Sequence, residues 1–151
     1  MLFAKAAIAF LLMPGIVAFG LPLVLAPVRL ARPDGLLLVA VGTTFLLWCV
    51  REFYVSGKGT LAPWQPPTEL VVTGLYRLSR NPMYVAVALI LWGWALAFRS
   101  RNLAFYALAV MVAFHLRVIF YEEPTLARAF GQGWTRYTAK VPRWLSLSRL
   151  Q

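Results

Sequence analysis

Acidic residues, histidine and cysteine are scarce in this chain. Its 151 residues include 5 Asp and Glu residues, one histidine and one cysteine. The single cysteine, Cys49, permits no internal disulfide, and it lies inside an apolar run, as is typical of a packed, unreactive thiol. No Cys/His cluster has the spacing of metal ligands. The sequence therefore predicts neither a disulfide framework nor a metal site.

Charge is limited as a whole, and most of it is basic. Charged residues make up 13% of the chain and hydrophobic residues 61%, with 15 Lys and Arg residues in all. A soluble domain of this length could not bury so much apolar surface, so the composition indicates an integral membrane protein. The basic residues lie beside apolar runs, where they suit orientation in a membrane and contact with anionic lipid. No basic face of a water-soluble module is evident, which argues against a nucleic-acid partner.

Four apolar segments predict an all-α, multi-pass integral membrane protein, built as a single domain over residues 1–151. A helix needs about 20 residues to cross a hydrocarbon core of ~30 Å. A cytoplasmic amphipathic segment is expected to follow the last crossing. The predicted transmembrane helices cover about residues 6–28, 35–51, 82–98 and 103–121.

Two local signals set the ends of the third and fourth predicted helices. Asn81 is a suitable N-cap for the third helix, and Pro82 suits its first helical position. Pro124 lacks an N–H group and its ring clashes with the preceding turn. We therefore expect the fourth helix to kink or stop at residues 120–123.

The predicted topology brings two polar islands to one face of the membrane. The first island is residues 74–84, reading GLYRLSRNPMY, and the second is residues 121–143, which opens with Glu122 and Glu123. Four crossings place both termini on the side richer in Lys and Arg, which the positive-inside rule assigns to the cytoplasm. We predict that the two islands close together into one cofactor site at the cytoplasmic face of the membrane.

The acidic pair and Arg80 each allow a functional and a structural interpretation. Glu122 and Glu123 cost free energy at the end of a membrane helix unless they are solvated or paired. They suit a ribose diol and a cationic group, or else form a solvated helix end beside Arg128 and Arg136. Arg80 suits a bidentate clamp on a carboxylate or phosphate, or else snorkels to lipid headgroups.

Aromatic residues and one further arginine flank these groups. Tyr84, Trp134 and Tyr137 suit cation–π contact with a cationic ligand, or else belong to an interfacial aromatic belt. Helical periodicity places Arg117 well away from the face of Glu122, so we expect it to meet lipid.

The joint arrangement of these motifs resembles the bacterial branch of the isoprenylcysteine carboxyl methyltransferase and phospholipid methyltransferase superfamily. The resemblance covers about residues 57–144, and it is the combination that is specific. The motifs that carry it are Lys58-Gly59-Thr60-Leu61-Ala62-Pro63-Trp64, Pro66-Pro67, Gly74-Leu75-Tyr76-Arg77, Arg80-Asn81-Pro82-Met83-Tyr84, Glu122-Glu123, Leu126, Phe130-Gly131, Tyr137 and Val141-Pro142-Arg143.

The resemblance implies a membrane enzyme that uses S-adenosylmethionine to methylate a lipidic or otherwise hydrophobic small molecule at the cytoplasmic face. Membrane lipids and that hydrophobic substrate are the expected partners. Arg80 and Glu123 are the implied catalytic candidates. The implied cofactor-binding residues are Tyr76, Arg80, Asn81, Pro82, Tyr84, Glu122, Glu123, Phe130 and Tyr137.

Two other classes of protein compete with this interpretation. One is a non-catalytic membrane scaffold or partner subunit that retains the fold. The other is a small transporter, which would need polar residues near the bilayer midplane. The midplane positions are mostly apolar, with Thr43 and Thr44 as exceptions.

Overall fold

The computed structural model describes residues 11–26, 32–56 and 68–145. Over these ranges every regular element is helical and no strand is present, which confirms the all-α prediction for this part of the chain. A π-helical segment, Leu11–Gly20, leads into α1 (Leu21–Leu25), and a 3₁₀ turn lies at Gly74–Arg77. The remaining elements are α2 (Pro33–Val55), α3 (Pro82–Phe98), α4 (Arg101–Arg117), a π-helical turn (Val118–Glu122), α5 (Glu123–Phe130) and α6 (Gln132–Lys140).

Two helical stretches of the described residues are long and apolar enough to cross a membrane, rather than the four predicted. They are Pro33–Glu52 and Arg101–Phe130, and two shorter apolar helices lie at Pro14–Leu25 and Pro82–Phe98. The 17 residues of α3 span roughly 25 Å at ~1.5 Å per residue, less than a hydrocarbon core of ~30 Å. Part of the predicted first helix, residues 6–28, lies outside the described residues.

Helices α2 and α3 pack closely because glycine removes side chains at their contact. A Cβ on Gly35 would lie 2.2 Å from the main-chain nitrogen of Ala97, and one on Gly42 would lie 2.8 Å from Cγ1 of Ile90. A Cβ on Gly93 would lie 2.7 Å from Cγ2 of Val39. Small residues of this kind let helix backbones approach where lipid gives no hydrophobic drive for association. Leu46, Ile90, Leu91 and Ala107 are among the buried residues of the core beside this contact.

The start of α3 coincides with its prediction, but the cap differs from a standard N-cap. Asn81 occupies the N-cap position and Pro82 follows at the start of the helix. The Asn81 side chain makes no capping bond and instead donates from Nδ2 to the carbonyl oxygen of Arg143 at 3.0 Å. Asn81, the N-cap residue of α3, is therefore tied directly to Arg143 at the end of the second island.

We expected the fourth helix either to kink or to stop at residues 120–123, and it does not stop there. It passes through the π-helical turn, in which the N–H of Glu123 donates to the carbonyl of Val118, five residues earlier, and continues as α5. The wider turn accommodates a proline ring that a regular α-helical turn would exclude. This turn places Glu122 and Glu123 at the junction between α4 and α5.

A buried carboxylate fixes the segment that leads into the first island. Glu52 is 7% exposed near the end of α2, and its Oε2 accepts a hydrogen bond of 2.5 Å from the hydroxyl of Thr73. Trp48 Nε1 and Arg51 Nη1 donate to Oε1 of the same carboxylate at 3.3 and 3.2 Å. Gly74, with φ of 55°, follows Thr73, and a Cβ there would lie 3.0 Å from Cδ of Glu52. The 3₁₀ turn is thus anchored on α2.

Candidate functional site

The two polar islands meet where α3 begins beside the junction of α4 and α5. Arg80 Nη1 lies 3.0 Å from Oε1 of Glu123, and the hydroxyl of Tyr84 donates to Oε1 of Glu122. The main-chain N–H of Arg80 donates to the carbonyl of Pro142 at 2.9 Å. The predicted closure of the two islands on each other is therefore present in the structure.

Two arginines share the carboxylate of Glu123. Arg143 binds it with two parallel hydrogen bonds, from Nε to Oε1 and from Nη2 to Oε2, both 2.8 Å long. Arg80 adds the third contact at Oε1, from a side chain that is 14% exposed. The hydrogen bonds to Glu123 raise the pKa of Arg143, so its guanidinium stays charged. The cluster has two positive charges against one negative charge and attracts anions.

The guanidinium of Arg80 retains a buried donor. Among the described residues, no acceptor lies within hydrogen-bond reach of its Nε, which is buried. Its Cζ lies 5.6 Å from the ring centroid of Trp134 in α6, within range of a cation–π contact. A buried donor without a partner is costly, and among the described residues this N–H is the one buried side-chain group left without a hydrogen-bond partner.

Glu122 forms a second cluster on the other side of the acidic pair. Its Oε1 accepts from Tyr84 and from Nε of Arg117, the latter at 2.8 Å. The ring of Tyr84 stacks on Phe114 with centroids 4.2 Å apart, which fixes its hydroxyl. The expectation that Arg117 points to lipid was therefore wrong, because it pairs with Glu122.

A short C-terminal segment, Val141–Arg143, holds the turn that precedes α3. The carbonyl oxygen of Arg143 accepts from Oγ of Ser79 at 3.2 Å as well as from Asn81. Ser79 is fully buried and also accepts from the main-chain N–H of Asn81 at 3.1 Å. The next residue, Trp144, stacks on His115 of α4 with ring centroids 5.9 Å apart. The end of the second island is thus bound to the first island, and the residue after it contacts α4.

Three of the predicted cofactor-binding residues pack among apolar side chains. Tyr137 is buried with Trp134 and Val141, and Phe130 packs against that cluster. Tyr76 is buried in a second cluster with Cys49 and Val71. Burial raises the pKa of both tyrosines, so their hydroxyls remain protonated. Tyr137 and Phe130 thus pack in the cluster that contains Trp134, and Tyr76 belongs to a separate one.

The structure also bears on the competing interpretations of these residues. Arg128 donates to the carbonyl of Pro124, and Arg136 lies 3.5 Å from the side-chain oxygen of Gln132. The acidic pair is therefore held by Arg80, Arg117 and Arg143. The interpretation as a solvated helix end had placed Arg128 and Arg136 beside it instead. Thr43 and Thr44 donate to main-chain carbonyls one turn earlier in α2, as packed helical threonines do.

Sequence patterns did not identify Arg117 and Arg143 as the partners of the acidic pair that the structure shows. The signal for Arg143 was its position at the end of the second island, in a chain with few carboxylates to receive so many arginines. The signal for Arg117 was weaker, because a regular helix places it on another face from Glu122.

Comparison with known proteins adds an independent finding. The chain matches the phospholipid methyltransferase family over residues 31–133, which includes Arg80, Tyr84 and both members of the acidic pair. Comparison with curated proteins and with solved structures finds no match. The family match covers more than half of the chain and agrees with the superfamily that its motifs resemble. The chain belongs to the phospholipid methyltransferase family.

Proposed function

We propose that this chain is a membrane methyltransferase that uses S-adenosylmethionine to methylate a lipidic or otherwise hydrophobic small molecule. The observation that carries the proposal is the meeting of the two islands, in which Arg80 contacts Glu123 and Tyr84 contacts Glu122. Family membership supports methyl transfer in general. The contacts of the cluster support the choice of cofactor.

The donor and acceptor groups of the cluster fit this cofactor. The excess positive charge of Arg80 and Arg143 over Glu123 suits the carboxylate of the cofactor's amino-acid part. Within the described residues, both hydrogen bonds to Glu122 fall on Oε1, which leaves Oε2 to accept from an ammonium or a ribose hydroxyl. Trp134 offers an aromatic face next to Arg80.

Positioning is the main task of these residues in the proposed reaction. When bound, S-adenosylmethionine supplies an electrophilic methyl group on a sulfonium. Arg80 and Glu122 would hold the amino-acid and ribose parts, and an acceptor held in line with the methyl group needs no nucleophilic side chain. Apolar helices or lipid around the bound cofactor would limit water there, which would favour the reaction of an anionic acceptor with the sulfonium.

The acceptor is proposed to approach from the lipid. The outer face of the helix beside Glu122 is apolar, with Phe120 76% exposed and Leu116 48% exposed. Side chains of this kind are stable against acyl chains, and a hydrophobic acceptor could reach the junction between helices without leaving the bilayer.

We propose four crossings, with both termini in the cytoplasm of a bacterium and the protein in the inner membrane. The 17 residues of α3 lie at the lower end of the ~17–25 residues that a crossing needs. Reporter fusions after Gln151 test the orientation. Cytoplasmic reporter activity is expected, and periplasmic activity would refute the shared side of the two islands.

Methyl transfer can be tested with purified protein, methyl-labelled S-adenosylmethionine and an extract of bacterial membranes. Label is expected in the organic-soluble fraction, and its identity by mass spectrometry gives the acceptor. The matched control is Glu122→Gln combined with Glu123→Gln, which keeps the shape of the acidic pair. Absence of transfer, together with absence of cofactor binding, would favour the non-catalytic scaffold.

A further inference from the structure

We propose that His115 in α4 is a catalytic residue, whose imidazole takes up the proton that the acceptor loses when it is methylated. The inference rests on the proposed function and deepens it, because it implies an acceptor with a proton on the atom that receives the methyl group. His115 is the single histidine of the chain, and it belongs to neither island.

His115 is next to the cluster of Glu122. The preceding residue in α4, Phe114, stacks on Tyr84 with ring centroids 4.2 Å apart, and the hydroxyl of Tyr84 donates to Glu122. Successive side chains of an α-helix point about 100° apart, so His115 projects beside this stack rather than into it. His115 is exposed there, as is its neighbour Leu116, on the helix face from which the acceptor is proposed to approach.

A second contact places the ring beside the cluster of Glu123. Trp144 stacks on His115 with ring centroids 5.9 Å apart and 26° between the ring planes. Trp144 directly follows Arg143, whose guanidinium binds Glu123 with two hydrogen bonds. The carboxylate of Glu123 and the ring of His115 are also close enough to interact electrostatically. His115 therefore adjoins both clusters of the acidic pair.

The other proton-accepting side chains at the junction are already engaged. Glu122 and Glu123 are both held in ion pairs with arginines, and the hydroxyl of Tyr84 is the donor to Glu122. The ring nitrogens of His115 make no hydrogen bond to any residue that the structure describes. Imidazole is the side chain that most often serves as a general base at neutral pH. His115 is therefore the group at this junction that is free to accept a proton.

The proposed step moves one proton and one methyl group. The proton on the acceptor atom passes to the unprotonated ring nitrogen of His115 and leaves an electron pair on that atom. The atom uses this pair to form a bond to the methyl carbon, and the carbon–sulfur bond of the cofactor breaks with its electrons on sulfur. The proton on His115 is then lost to water. An acceptor without such a proton, such as a carboxylate, gains nothing from this residue.

The experiment compares wild type, His115→Gln and His115→Phe in detergent, by methyl transfer to a membrane extract and by equilibrium binding of S-adenosylhomocysteine. Both variants are expected to lose about a hundredfold or more in the rate of methyl transfer, as removal of a general base does. Their affinity for S-adenosylhomocysteine should stay within about twofold of wild type. His115→Phe is the matched control, because it keeps a ring against Trp144 but accepts no proton. Added imidazole should restore part of the rate of His115→Ala.

Chemical modification gives a readout that does not depend on turnover. Because the chain has a single histidine, an imidazole adduct of diethyl pyrocarbonate located by mass spectrometry reports on His115 alone. With S-adenosylhomocysteine present, the lipid fraction of the membrane extract that accepts label should slow this modification several-fold. A lipid fraction that accepts no label should leave the rate unchanged.

Each outcome decides the matter. Full transfer by folded His115→Gln, or transfer that His115→Phe retains and His115→Gln loses, would overturn the catalytic role of His115 alone. A parallel loss of S-adenosylhomocysteine affinity, or a labelled product that is a methyl ester of a carboxylate, would overturn it as well. If His115→Gln does not fold, His115→Phe and the modification of wild type give the decision. A wild-type protein that transfers no label would overturn the proposed function, and this inference with it.

Discussion

The hydroxyl of Tyr137 in α6 donates a hydrogen bond of 2.7 Å to the main-chain carbonyl of Tyr76 in the 3₁₀ turn. The bond is buried and joins residues 61 positions apart. It links the second island to the first, as the contacts of Glu122 and Glu123 also do. The two islands are thus held together by this buried bond as well as by the two clusters.

Loss of that hydroxyl should destabilise the protein. Tyr137→Phe leaves a buried carbonyl without its donor, and we expect the free energy of unfolding to fall by about 1–3 kcal/mol. Unfolding by denaturant in mixed micelles measures it. Tyr121→Phe, at a side chain that is 59% exposed, is the matched control and should be nearly silent. An equal change in the free energy of unfolding of the two variants would show that this hydrogen bond does not stabilise the protein.

The close contact of α2 and α3 should not tolerate a methyl group at Gly35. The added Cβ of Gly35→Ala would lie 2.2 Å from the nitrogen and 2.5 Å from Cα of Ala97, both main-chain atoms that cannot turn aside. We expect a loss of about 1–3 kcal/mol or more in the free energy of unfolding. Gly133→Ala meets no described atom within 4 Å and should be neutral or slightly stabilising within α6. A neutral Gly35→Ala would contradict the packing.

The anchor of the 3₁₀ turn on α2 can be tested by local opening. Thr73→Val removes the 2.5 Å hydrogen bond to Glu52, and bonds to charged groups contribute about 1.5–3 kcal/mol. Amide hydrogen exchange over residues 68–77 should accelerate in this variant. Thr44→Val, whose hydroxyl bonds only within α2, should leave exchange there unchanged. Unchanged exchange in both variants would show that Glu52 does not anchor the turn.

Arg80 should not tolerate lysine. Lys keeps the charge but loses the planar fork that contacts Glu123, so Arg80→Lys should lose most methyl transfer, about tenfold or more. Methyl incorporation into a membrane extract, normalised to folded protein, gives the comparison. Arg99→Lys changes an exposed arginine at the other end of α3 and should retain activity. Equal activity would leave Arg80 as an arginine that snorkels to lipid headgroups.

Much of the architecture followed from local patterns. Asn81-Pro82 and the apolar run after it predicted a helix over residues 82–98, and α3 has those bounds. The contact between the two islands was predicted from the topology, because four crossings place both islands on the same side of the membrane. Among the described residues two stretches are long and apolar enough to cross a membrane, and α3, with the 17 residues predicted for it, is shorter than both.

Local sequence patterns did not predict which arginines pair with Glu122 and Glu123. Residues five apart, such as Arg117 and Glu122, lie on different faces of an α-helix but come together across a turn closed by hydrogen bonds between residues five apart. The π-helical turn at Val118–Glu122 therefore reversed the expected direction of Arg117. Arg143 reaches Glu123 only after α5 and α6 have folded back, which no periodicity encodes.

The most direct test of the account is the affinity of S-adenosylhomocysteine for wild type, Glu122→Gln and Glu123→Gln, measured by titration calorimetry in detergent. Wild type is expected to bind, and each variant is expected to lose about 1–3 kcal/mol in binding free energy while it remains folded. The loss follows because an amide accepts more weakly than a carboxylate from an ammonium, a hydroxyl or an arginine. Unchanged affinity in both variants would contradict the claim that the two islands form one cofactor site.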